Sequence, residues 1–187
     1  MTILTPPANQ NFLGKNGFQF NIAHLPNTSF FVQECNIPGM TIDPVFIGNP
    51  LVSLPYSGDH VQHEELTITF KMDEDLGAYI DIYKWMYGLG FPENSEQYAN
   101  LAAQAIWTGK GLVSDATLMI LDAKKRPNYK IIFNNAFPVS LSTIQLSTSG
   151  PEGGAEFITA DCSFRYDTFD IQRVKAGSSE WVMNQGT

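Results

Sequence analysis

Leu66-Thr67-Ile68-Thr69-Phe70-Lys71-Met72-Asp73-Glu74-Asp75 changes character within a few residues. Leu66, Ile68, Phe70 and Met72 alternate with Thr67, Thr69 and Lys71, which predicts a strand with one buried and one polar face. The three carboxylates that follow suit a helix start, where negative charge meets the positive end of the peptide dipoles. From there Leu76, Tyr79, Ile80, Tyr83, Met86 and Tyr87 recur at three-and-four spacing, predicting one apolar helix stripe. Trp85 falls off that stripe. Gly88 and Gly90, followed by Pro92, are expected to end the helix.

Outward from this stretch the chain reads as strands. Upstream, Phe18, Phe20 and Ile22 alternate with Gln19 and Asn21, and a turn at Pro26-Asn27 leads to Ser29–Ile37, predicting a hairpin closed by Pro38-Gly39. Downstream, 117–121 and 129–133 flank a turn at 125–128. Val139 and Leu141 fall on one parity and Ile144 and Leu146 on the other, which predicts a bulge near Ser142-Thr143. After Gly150-Pro151-Glu152-Gly153-Gly154, the run 156–171 sets Ile158, Ala160, Cys162, Phe164 and Tyr166 on one face. Thr159, Asp161, Ser163, Arg165 and Asp167 occupy the other. Leu101–Trp107 predicts no more than a short helical turn. The order of strands, one helix and more strands predicts a mainly β protein, an antiparallel sandwich or open barrel with one flanking α-helix.

Residues 39–62 break this rhythm. Pro44, Pro50, Pro55, Gly48 and Gly58 punctuate Val45, Phe46, Ile47, Leu51, Val52 and Leu54. A loop this long and this apolar usually has a task. Two readings stand: a ribbon projecting onto another copy, or a flap folded over its own sheet. Residues 1–16 and 174–187 read as polar arms of one domain spanning 1–187.

Composition narrows the function. The 187 residues are 43% hydrophobic, 12% aromatic and 16% charged, with a net charge of −8. Disorder couples low hydrophobicity to high charge, the reverse of this balance. Only Lys124, Lys125 and Arg126 cluster as cations, and Pro127-Asn128 makes them a turn, so a groove gripping nucleic-acid phosphates is not expected. No apolar run reaches the length of a membrane helix. Met1–Gln10 lacks a basic start and an apolar stretch, so no secretory signal is expected. Cys35 and Cys162 lie far apart and outside any CxxC; they permit one disulfide and read better as free thiols.

The chemical leads fail on spacing. His60-Val61-Gln62-His63-Glu64 has the wrong order for HExxH and leads into a strand, which would turn the two imidazoles to opposite faces. Asp73-Glu74-Asp75 lacks the calcium-loop pattern. No GxSxG elbow or phosphate loop occurs. No enzyme, metal or cofactor is expected.

Taken together, Gly17–Ile22, Phe30–Gly39, Ser57–His60, Leu66–Asp75, the aromatic helix through Trp85-Met86-Tyr87-Gly88, Phe137-Pro138-Val139-Ser140 and the strand at 156–171 resemble the tail-tube proteins of contractile-tailed bacteriophages, over about residues 17–172. The type VI secretion tube proteins share that fold. The resemblance implies a structural virion protein that forms hexameric rings whose inner strands join in one barrel. The rings stack into a tube within a sheath, meet baseplate proteins and pass DNA without specific binding. It makes Val45, Phe46, Ile47, Leu51, Val52 and Leu54 candidate contacts between copies, and Thr159, Asp161 and Ser163 candidate lumen residues. A tube-initiating, baseplate or connector subunit is the alternative. A carbohydrate-binding module would instead need Tyr56, Trp107 and Trp181 to form one exposed platform.

Overall fold

A computed structural model describes residues 12–49, 51–90, 95–108, 111–146, 157–174 and 182–183; residues 1–11 of the first arm, residues 147–156 and most of the second arm, with Trp181, lie outside them. Phe18–Ile22 forms β1, Pro26–Phe31 α1 and Val32–Cys35 β2. Short strands follow at Met40–Ile42 (β3), Val45–Ile47 (β4), Leu54–Tyr56 (β5) and Val61–His63 (β6). Leu66–Lys71 is β7, Gly77–Gly90 α2 and Ser95–Thr108 α3. The remaining strands are Ser114–Leu121 (β8), Pro127–Leu141 (β9), Thr159–Arg165 (β10), Thr168–Arg173 (β11) and Val182–Met183 (β12).

Six strands curl in the order β1-β8-β9-β10-β7-β2, every pairing antiparallel, into a barrel left open between β1 and β2. Two strands turn the corner. β9 pairs with β11 over Tyr129–Asn134 and with β10 over Phe137–Leu141. Between these stretches Asn135 takes φ 55°, a left-handed value that Asn tolerates better than most residues. Side chains lock the bend: Asn135 Nδ2 donates to Asp167 Oδ2 at 2.7 Å, and its N–H to Asp115 Oδ1 at 3.2 Å.

The alternation read in β7 and β10 holds. Leu66, Ile68 and Phe70 meet Ala160, Cys162 and Phe164 in one buried cluster with Phe20, Ile22, Leu118 and Phe133. Ile158 belongs to the same parity but lies before the strand and is partly exposed.

Several expectations are corrected. β1 and β2 form no hairpin: β1 pairs with β8 and β2 with β7. Between them Pro26, whose fixed φ suits the first turn of a helix, opens α1, and Ser29 Oγ ties it back by accepting from Ile22 N–H at 3.2 Å. The irregularity foreseen near Ser142-Thr143 sits instead at Val139, skipped between the pairs Ser163–Ser140 and Phe164–Pro138. Pro138 has no N–H for the ladder, and the strand slips there.

α2 turns a different face inward from the one its spacing suggests. Ala78, Ile82 and Trp85 are buried, while Leu76, Ile80 and Tyr83 are exposed. Small Ala78 lets the helix approach the sheet. The Trp85 indole stacks near His24 at 4.3 Å and Phe164 at 6.2 Å, and its N–H donates to the Leu112 carbonyl at 3.2 Å. Gly88 does not end α2. A Cβ there would lie 3.1 Å from Leu101 Cδ2 of α3, so glycine permits close helix contact. α3 itself exceeds the short turn expected at 101–107, and among the described residues the barrel carries three helices instead of one. No described helix is long and apolar enough to cross a membrane.

Candidate assembly surfaces

The segment 39–62 is a two-stage β-ribbon. β3 pairs with β6 (Met40–His63, Ile42–Val61) and β4 with β5 (Val45–Tyr56, Ile47–Leu54). At the joint, Gly58 packs so tightly that a Cβ would collide with the Asp43 carbonyl, and Gln62 Nε2 donates to Asp43 Oδ2 at 2.8 Å. The ribbon continues the β2–β7 pair, since Asn36 N–H donates to the Thr67 carbonyl at 3.2 Å and Glu64 N–H to that of Gly39 at 3.0 Å. Its root is clamped by Tyr166, whose hydroxyl donates to the Glu64 carbonyl at 2.9 Å, and by the His63 ring, 5.4 Å from Phe169.

Beyond the root the ribbon projects. Val45, Phe46, Ile47, Leu51, Val52 and Leu54 are all exposed, Leu51 to 95%, so the folded-back reading is excluded for these side chains. No residue from 44 to 58 carries a charge. Contiguous exposed apolar surface of this kind marks interaction sites.

Thr159, Asp161 and Ser163 share the outer face of β10, as their parity predicts, with Thr67 and Thr69 beside them on β7. Asp161 Oδ1 accepts from Thr69 Oγ1 at 2.6 Å, and its N–H donates to Ser142 Oγ at 2.8 Å. Arg165 meets Glu65 at 2.9 Å. This face is polar and satisfied by its own network. The sheet that bears it, β9(137–141)-β10-β7-β2, has no pairing beyond β2 on one side or beyond 137–141 on the other among the described residues.

Two further features escaped sequence reading because their residues are scattered along the chain. Leu13, Phe18, Cys35, Ile37, Leu118 and Ile120 line an apolar opening of about 160 Å³ at one end of the β1–β2 gap. A cleft of about 510 Å³ between the helices is lined by His24, Asp81, Tyr83, Trp85 and Asn100 among others.

The histidines do not converge. His60 is exposed, with Nδ1 2.6 Å from Asp59 Oδ1, whereas His63 packs into the Tyr166–Phe169 cluster. Among the described residues no three metal-ligating side chains group together. Cys35 and Cys162 are free, each opposite Ile68 from either side of β7, and burial pushes both thiols up to about 12.

Sequence comparison finds no matching family model and no matching curated protein. Structure comparison does find likeness. A chain of the tube-terminating cap of the anti-feeding prophage superposes with a TM-score of 0.60, covering 93% of this chain and 100% of that one at 14% identity. The chain has the contractile-tube fold. The tube fold is shared with a chain of the sheath–tube complex of PVC, an extracellular contractile injection system, at TM-score 0.53 and 11% identity, covering 88% of this chain and 94% of that one. It is shared again with a chain of the PVC sheath/tube terminator, at TM-score 0.53 and 12% identity, covering 88% and 99%.

Proposed function

We propose that this chain is a structural subunit of a contractile-tail tube, forming hexameric rings that stack into a conduit for genome delivery. The observation that carries this reading is the sheet β9(137–141)-β10-β7-β2: a polar outer face between two unpaired edges. Its four strands are all antiparallel, so β2 of one copy can lie beside β9 of the next with the alternation unbroken. Head-to-tail contacts of this kind close into rings and remove edges that would otherwise invite aggregation. Thr159, Asp161 and Ser163 then line the lumen. Hydroxyls and a carboxylate there, on a chain of net charge −8, repel phosphate and let DNA slide. The projecting ribbon supplies contacts between copies, a sheath and a baseplate are the outer partners, and the particle is a phage tail assembled in the host cytoplasm. We assign the chain no catalytic role.

A terminal ring of such a tube is the second reading, favoured by the fit along the full length of a tube-terminating cap chain. Electron microscopy of the concentrated protein separates the two, because a tube subunit gives long hollow tubes and a terminal ring gives single rings.

The ring joint is tested with cysteine pairs drawn from Gln33 against Val139 or Ser140. Within one chain these residues stand three strands apart, about 14 Å at ordinary strand spacing, beyond the Cα separation of about 7 Å that a disulfide can span. Oxidation is therefore expected to give a ladder of covalent oligomers ending at the hexamer, with the native thiols silent. A chain that stays monomeric for every pair contradicts the joint.

A further inference from the structure

The ribbon's exposed tip and the barrel's apolar mouth are chemical counterparts on separate surfaces of one chain. Ile37, 49% exposed just past the end of β2, and Phe18, at the start of β1, form the rim. Leu118 and Ile120 of β8 form the floor, and Lys15 is the one charged residue of the lining. We infer that this mouth receives the ribbon tip of a second copy, with Leu51 inserted foremost. The inference rests on the tube-subunit reading and names the receptor of its ribbon.

Size, charge and topology converge on that occupant. An opening of about 160 Å³ matches one large hydrocarbon side chain, since an apolar cavity of about 150 Å³ takes a benzene-sized guest. The plug is apolar: Leu51 and Val52 lie in an uncharged stretch running from 44 to 58, so it brings no charge of its own into the contact on docking. At 95% exposure Leu51 leaves nearly its whole surface for a partner to cover. A plug and a socket on different surfaces of one molecule make a heterologous contact, which propagates through successive copies instead of stopping at a dimer. Ile37 at the socket and Gly39 at the ribbon's root are two residues apart. Each copy therefore receives the contact at the root of the ribbon whose tip hands it on.

The test uses the full chain with a photoreactive benzoyl-phenylalanine replacing Leu51. Irradiation after assembly should join two copies, with adducts on peptides carrying Phe18, Ile37 or Ile120. Ile37→Asp, at a rim position whose exposure spares the core, should raise the protein concentration for half-assembly roughly tenfold or more, the scale set by losing one buried aliphatic side chain. Its thermal melt should match the unmodified protein. Adducts elsewhere on the second copy, the outcome if residues 1–11 cover the mouth, overturn the socket and leave the tube reading standing. So does normal assembly of Ile37→Asp. An unmodified chain that forms neither rings nor tubes at any concentration overturns both.

Discussion

β7 and the ribbon 40–63 are neighbours in the chain, and both are rich in apolar side chains, yet they have opposite fates. Leu66, Ile68 and Phe70 are entirely buried, whereas Val45, Phe46 and Ile47 are each more than half exposed. The difference lies in arrangement. β7 alternates without interruption, so one face turns to the core and Thr67 and Thr69 to the outside. In the ribbon, Pro44 separates three-residue strands, and apolar side chains occupy both of its faces. Burying one face on the barrel would still leave the other in water. Such a ribbon is satisfied only by a groove that encloses it.

Substitutions can break or sharpen that contrast. The largest loss of stability is expected at the core, where Phe70→Ala should cost about 3–5 kcal/mol by leaving a cavity, read as a lower denaturation midpoint. Asn135→Val should cost about 1–2 kcal/mol, because a β-branched residue is strained at a left-handed φ, and it should unlock the β9 corner. Phe46→Asp combined with Ile47→Asp should shift stability by less than about 0.5 kcal/mol, as exposed positions do, while abolishing assembly in sedimentation velocity. If that double variant melts early instead, the ribbon belongs to the core and the contrast fails.

The smallest expected effect is electrostatic. The Asp122 carboxylate accepts the Arg126 and Lys124 backbone N–H groups and a forked pair from the Arg126 guanidinium. The Arg126 backbone bond, then its side-chain bond, holds Asp122 below its ordinary 3.8. A carboxylate depressed by folding adds stability above its unfolded value and loses it as pH falls through the folded one. The effect is therefore confined to acid, below about pH 4, and Asp122→Asn should remove it. A carboxyl titration by NMR that places Asp122 at or above its ordinary value would contradict the turn geometry.

Legibility followed periodicity. β7 and β10 were plain because two-residue alternation and burial coincide, and Thr159, Asp161 and Ser163 fell on the outer face for the same reason. α2 was misread because its tyrosines, four residues apart, form a stripe beside the inner face, and only packing selects Ala78, Ile82 and Trp85 as that face. α3 has little stripe to read: Leu101 is its one buried residue among those described, and its Ala, Glu and Gln favour the helix locally. The apolar run at 44–56 was visible, but its ladder was not, since cross-strand partners such as Val45 and Tyr56 follow no local period. The mouth was invisible because Phe18, Ile37 and Ile120 meet only after β1, β2 and β8 are in place.

Two backbone hydrogen bonds, Asn36 to Thr67 and Glu64 to Gly39, carry the ribbon's pairing on to β2 and β7. Any tension on the tip therefore passes down both backbones into the polar-faced sheet. A pull transmitted through that route strains the β2–β7 pair first.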